Sequence, residues 1–191
     1  MDNYEPKVCN GDLQEKDVTV IQAIQEEKLT NFSFEGLKRR LVMHPETLSR
    51  TLNRLMEQNL IKKEPEGYAL TTKTTELFKD SYSVQKTGLA MNVLQTLLPK
   101  EQVTQKVVSN LKGRWFGTLR WLGYSEANGE TMLKWITEDG ETIISAVFGQ
   151  EKLKINAKVL SKNHDNSVLI ATNQLMGNIT KLMSSNFAIF T

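Results

Sequence analysis

The chain has 191 residues, of which 39% are hydrophobic and 24% charged. This balance is typical of a globular protein that buries one core or two small ones. No apolar run approaches the roughly 18 residues that span a bilayer, and the polar, acidic N-terminus is unlike a signal peptide. Because Cys9 is the only cysteine, an internal disulfide is excluded, and we expect a cytoplasmic protein.

The net charge of +2 is unevenly distributed along the chain. Residues 33–63 carry seven basic and three acidic side chains, whereas the remainder of residues 1–80 carries five basic and eleven acidic ones. A basic island in an acidic region is a modest electrostatic footprint for a polyanionic partner.

Capping residues and apolar periodicity predict three helices in the N-terminal region, after an aperiodic arm over residues 1–16. Asp17 suits the N-cap of a helix over 18–28, and Ser33 suits the N-cap of a helix over 34–42. Pro45 suits the first turn of a third helix that runs to about residue 58. Its apolar stripe is formed by Leu48, Leu52, Leu55 and Met56.

Two short extended runs follow, over 60–63 and 68–71, around the turn Glu64-Pro65-Glu66-Gly67. Their order predicts a β-hairpin, after which Thr72 is a cap for a helix through Phe78. Apolar residues over 84–98 and 99–111 predict two further helices, which either form a dimer interface or pack on a sheet.

The remainder of the chain alternates in a way that predicts strands. Aromatic and aliphatic residues are dense over 115–124, and strand patterns follow over 131–137, 142–148 and 152–160. The pair Asp139-Gly140 favours a tight hairpin turn, and residues 168–184 are apolar and helical in their later part. We expect Trp115 and Trp121 to share one strand face, where core packing is favoured over the wall of a ligand pocket.

Two strings of residues resemble a known family. The string His44-Pro45-Glu46-Thr47-Leu48-Ser49-Arg50-Thr51-Leu52-Asn53-Arg54-Leu55 and its continuation to Ile61 resemble the recognition helix of MarR/ArsR-type prokaryotic transcription regulators. The string Tyr68-Ala69-Leu70-Thr71-Thr72-Lys73 resembles the second wing strand and its exit in the same family. The resemblance covers residues 17–80 and implies a winged helix-turn-helix that binds duplex DNA.

Side-chain chemistry in this region agrees with that implication. If the leucines of the third helix face the core, its outer and flanking faces carry hydroxyl, amide and guanidinium groups that suit base edges and phosphates. The candidates are Thr47, Ser49, Arg50, Asn53 and Arg54. Phosphate contacts are expected from Lys38, Arg39 and Arg40 on the preceding helix and from Lys62 and Lys63 on the wing.

Acidic residues at the wing tip depart from the family pattern. Glu64 and Glu66 occupy the tip and Glu46 begins the third helix, so we expect the helix to supply most of the DNA contact. The alternative is a winged-helix scaffold that binds protein without binding DNA.

Motifs for enzymatic chemistry or metal binding were not found. Two histidines and one cysteine are too few and too scattered for a zinc site, and there is no Gly-rich phosphate loop or nucleophile elbow. We therefore expect no cofactor and no enzymatic activity. A second rival, an effector-binding enzyme in the C-terminal part, would require a pocket lined by titratable residues.

Taken together, these patterns predict an α+β protein with four parts. They are an arm (1–16), a winged helix-turn-helix (17–80), a helical connection (81–112) and a small antiparallel sheet with a helix (113–191). The expected function is transcription regulation through sequence-specific binding of duplex DNA, with the helix at about 45–58 in the major groove. The expected partners are duplex DNA, a second copy of the chain and an effector at the C-terminal domain.

Overall fold

The computed structural model describes residues 13–78, 90–98, 101–161 and 167–187. Most of the predicted arm and the segment over 84–89 lie outside these ranges. Within them the protein is a mixed α+β structure with six helices and eight strands, as the α+β prediction requires.

The N-terminal elements follow the predicted order of three helices, a hairpin and a short helix. Helix α1 begins at Glu15, two residues inside the predicted arm, and its N-cap is Gln14. Asp17 lies in the first turn of the helix, where the Asp17 carboxylate accepts a hydrogen bond from the Gln14 N–H at 3.0 Å. The prediction of Asp17 as N-cap is therefore wrong. Ser33 caps α2 as predicted, by accepting from the Gly36 N–H. The elements are α1 (Glu15–Glu26), β1 (Asn31–Phe32), α2 (Phe34–Leu41), α3 (Pro45–Glu57), β2 (Ile61–Glu64), β3 (Gly67–Leu70) and α4 (Thr72–Leu77).

The predicted helix over 84–98 is wrong where the structure describes it. Residues Ala90–Leu97 form a strand, β4, that pairs antiparallel with a later strand along its length. Leu, Met and Gln favour helices locally, but cross-strand pairing outweighs so weak a preference. The remaining elements are α5 (Glu101–Leu111), β5 (Leu119–Ala127), β6 (Glu130–Thr137), β7 (Thr142–Phe148), β8 (Lys152–Val159) and α6 (Ser167–Phe187).

All eight strands belong to one antiparallel sheet, in the order β2-β3-β1-β5-β6-β7-β8-β4. The predicted sheet was small and confined to the C-terminal half. The link that the sequence did not reveal is β1, whose two residues pair with β3 on one side and with β5 on the other. Gly123 permits this approach, since a Cβ there would stand 2.2 Å from the Asn31 carbonyl oxygen.

Each face of the sheet is covered by a different set of helices. One core lies under α5 and α6 and includes Trp121 and Trp135. The other lies under α1, α2 and α3 and also takes Leu122, Ile136 and Ile143 from the sheet. The N-terminal helices therefore bury their apolar faces partly against strands of the C-terminal half.

Candidate nucleic-acid interface

Helix α3 is oriented by a stripe of leucines. Leu48, Leu52 and Leu55 are fully buried, as their spacing predicted, and Pro45 opens the helix at its first position. Side chains on the opposite side of the helix therefore face solvent.

Three of the predicted DNA-binding residues of α3 lie together on that solvent side. Ser49, Arg50 and Asn53 are exposed, whereas Thr47 is half-buried at the edge of the same surface. Arg50 forms an ion pair with Glu46 one turn earlier, and both side chains are mostly exposed, at 73% and 64%. A pair this open to water holds its arginine weakly.

Arg54 is held against α1, away from this group. Its Nη2 lies 2.6 Å from Oδ1 of Asp17, and its Nε lies 3.3 Å from Oδ2. Asp17 is fully buried. Because a buried carboxylate needs a compensating charge, this contact fixes Arg54 as a link between α3 and α1.

The three basic residues at the end of α2 divide into two groups. Lys38 and Arg39 both contact the Glu35 carboxylate, at 2.8 and 2.7 Å. The hydrogen bond from Lys38, assisted by that from Arg39, lowers the pKa of Glu35 in spite of partial burial. Arg40 turns instead towards the end of α1, where it contacts Glu26 at 2.9 Å and Glu27 at 3.2 Å.

The hairpin β2–β3 contributes both signs of charge. Lys62 is paired with Glu64 at 2.6 Å. Lys63 is exposed and has no ion pair among the residues that the structure describes. The tip also carries the exposed Glu66, so the basic island of the sequence is largely neutralised in space by nearby carboxylates.

A buried charge cluster behind the helices was missed from the sequence. Glu27, at 1% exposure, contacts Lys134 at 2.9 Å and Lys158 at 2.7 Å, besides Arg40. Burial alone would raise the pKa of the Glu27 carboxyl, but the attraction of Lys134 and the hydrogen bonds from both lysines lower it to about 2. Burial also lowers the pKa of Lys134, and the attraction to Glu27 opposes that change. This cluster joins α1 and α2 to β6 and β8.

The aromatic residues of the C-terminal half are only partly as predicted. Trp121 and Trp135 are buried in the core, but Trp115 precedes β5 and is 55% exposed under the Arg120 guanidinium. The prediction of a shared strand face for Trp115 and Trp121 is therefore wrong. Helix α5 buries Val107 and Leu111 against the sheet. Of the two placements predicted for the helix over 99–111, a dimer interface or packing on a sheet, the structure has the second.

A pocket of about 260 Å³ lies between the hairpin tip and β5. Four aromatic and three charged side chains are among the residues that line it. They are Phe32, Tyr68, Trp121 and Tyr124, with Glu64, Glu66 and Lys112. The Lys112 ammonium already lies 4.0 Å from the centre of the Tyr124 ring and pairs with Glu126.

Within the described ranges, no cluster of three or more His, Cys, Asp or Glu side chains has a metal-binding arrangement. Across the same ranges, no helix has the length and apolarity that crossing a membrane requires. Comparison of the chain with protein-family models, with curated proteins and with solved structures found no match.

Proposed function

We propose that this protein binds duplex DNA through helix α3 and regulates transcription, in the manner of the MarR/ArsR-type regulators that its sequence resembles. The observation that supports the proposal best is the exposed group Ser49, Arg50 and Asn53 on the side of α3 opposite its buried leucines. These residues lie within about one turn of α3 on its exposed side. An α-helix fits into the major groove, where side chains placed in this way reach the edges of the bases.

Each of the three side chains has a matching partner on DNA. Arg50 suits the O6 and N7 atoms of guanine, Asn53 suits adenine, and the Ser49 hydroxyl suits a phosphate or a base edge. Arg50 must first leave Glu46, which costs no more than about 1 kcal/mol for so exposed a pair. Lys38, Arg39 and Lys63 are then the candidates for phosphate contacts beside α3.

The proposal changes the roles of two predicted contact residues. Arg54 and Arg40 act as positioning residues, because each is committed to a buried or half-buried carboxylate of the α1 region. They hold α3 and α2 in place without touching DNA themselves.

The test begins with selection of a preferred duplex from a random pool, followed by fluorescence anisotropy with that duplex. Arg50→Ala should weaken binding about 5- to 150-fold, the equivalent of 1–3 kcal/mol for one bidentate base contact. Affinity for the wild type should also fall steeply as salt is added, because bound lysines and arginines release counterions.

Lys181→Ala is the matched control, since Lys181 is an exposed cation on α6, which packs on the other face of the sheet. It should bind as the wild type does. If Arg50→Ala binds the duplex as tightly as the wild type does, the assignment of α3 as the DNA-binding helix is refuted. The comparison requires that both variants have the Tm of the wild type.

The alternative is a scaffold that binds another protein through the same surface. The exposed carboxylates Glu46 and Glu66 favour it, because they repel phosphates. If the wild type selects no duplex even at low salt, DNA binding is refuted and this alternative takes its place.

A further inference from the structure

We propose that strand β4 is the contact through which two copies of this chain associate, edge to edge, into a dimer. The surface is the long side of Ala90–Leu97 opposite β8, which has no strand partner among the residues that the structure describes. This inference does not depend on DNA binding.

The two ends of the sheet differ in how they are protected. Among the described residues, β2 and β4 each have one strand neighbour and so present an open edge. The β2 edge is four residues long and carries the exposed Lys62 and Lys63. Short length and edge lysines are the usual means by which proteins prevent strand addition.

Strand β4 lacks edge lysines, and only its overall length exceeds that of β2. It is eight residues long, which corresponds to about 27 Å, and contains no charged residue and no proline. Met91 and Leu97 are 48% and 74% exposed. A register shift between Asn92 and Leu94 interrupts the strand, but residues 94–97 pair with β8 in unbroken register and keep a regular edge.

The absence of charged residues from β4 favours a second copy of the chain as its partner. When a strand pairs antiparallel with its own copy about a two-fold axis, the charged side chains of both copies are brought into one seam, where charges of the same sign repel each other. Strand β4 has no such residue. The nearest cations, Lys152 and Lys154 on β8, would be separated from their copies by three strand spacings, about 14 Å, which exceeds the Debye length of about 8 Å in physiological salt.

The expected dimer is weak. One strand edge covers less than the ~800 Å² per partner of a standard interface, so we expect a dissociation constant on the order of micromolar. Sedimentation velocity of the full chain from about 1 to 200 μM should therefore show a monomer that converts to a dimer.

The diagnostic variant combines Gln95→Glu with Leu97→Glu. Within one chain, these positions lie opposite Lys154 and Lys152 on β8, so the new carboxylates are accommodated by the fold. In a β4–β4 seam centred on the regular stretch 94–97, they would bring four carboxylates together. We expect this variant to remain monomeric at every concentration and to keep the circular dichroism spectrum of the wild type.

The matched control combines Asn173→Glu with Thr180→Glu, two exposed positions on α6, and should dimerise as the wild type does. A cysteine scan at Asn92, Gln95 and Thr96 in a Cys9→Ser background should give an intermolecular disulfide from at least one position. The proposal is overturned if the wild type is monomeric up to 200 μM, as it would be if another segment of the chain covered β4. It is equally overturned if the β4 variant dimerises normally.

Discussion

Replacing the buried Glu27 carboxylate by an amide, in Glu27→Gln, tests whether the charge cluster holds the N-terminal helices to the sheet. The substitution keeps the size of the side chain but leaves Lys134, Lys158 and Arg40 without their shared anion. All three cations are themselves at most 16% exposed. We therefore expect a large loss of stability rather than the small effect of a surface pair.

The magnitude follows from the pKa of Glu27, which falls from its ordinary 4.5 to about 2 in the folded protein. At about 1.4 kcal/mol for each tenfold change in the protonation equilibrium, the ionised carboxylate is stabilised by about 3 kcal/mol. Removal of one partner from a buried pair typically costs about 3–5 kcal/mol. For a chain of this length, a loss of about 3 kcal/mol lowers Tm by about 6–12 °C.

The pH dependence supplies an internal check. Because the folded pKa lies below the unfolded one, the contribution of Glu27 is fully present above about pH 4.5 and is lost as the pH falls towards about 2. Urea unfolding curves of the wild type and Glu27→Gln should therefore differ by about 3 kcal/mol at pH 7. The two curves should converge below pH 4.5.

Glu26→Gln is the matched control, since Glu26 also contacts Arg40 but is 27% exposed. Its loss should be about 1 kcal/mol or less. The reasoning is refuted if Glu27→Gln differs from the wild type by less than the control does. A difference that is the same at pH 7 and pH 3 would refute the assignment of the low pKa.

Two further predictions concern residues beside α3. Val42, the C-cap of α2, has a left-handed backbone (φ 50°) and is 91% exposed. Because glycine adopts this conformation without strain, Val42→Gly should raise the free energy of unfolding by up to about 1 kcal/mol. A lower urea midpoint for the variant would contradict this prediction. Arg54→Ala leaves the fully buried Asp17 unpaired and should lower that free energy by about 3 kcal/mol in the same assay. A loss below about 0.5 kcal/mol would show that Arg54 is not needed by Asp17.

The elements that local patterns specify strongly were predictable. The leucine spacing of α3 and Pro45 at its start both appear where the sequence indicated. So do the hairpin after α3 and the Asp139-Gly140 turn, where Gly140 has a positive φ. In each case the decisive interactions lie within a few residues along the chain.

The strand β4 and the link β1 were not predictable in the same way. Five of the eight β4 residues are good helix formers, and their partner strand some 60 residues later makes them extended. Strand β1 has two residues, too few for any periodicity to be visible. Both depend on pairing between distant parts of the chain, which local composition does not record.

The charges show most clearly what each level decides. In the sequence, Arg40 and Arg54 both belong to the basic island over residues 33–63. Only the tertiary structure assigns Arg54 to Asp17, 37 residues away, and places Arg40 on Glu27 with Lys134 and Lys158. A buried carboxylate needs a cation beside it, and the fold decides which cation that is. The charges that remain available to a partner on the surface therefore depend on three-dimensional packing and not on composition.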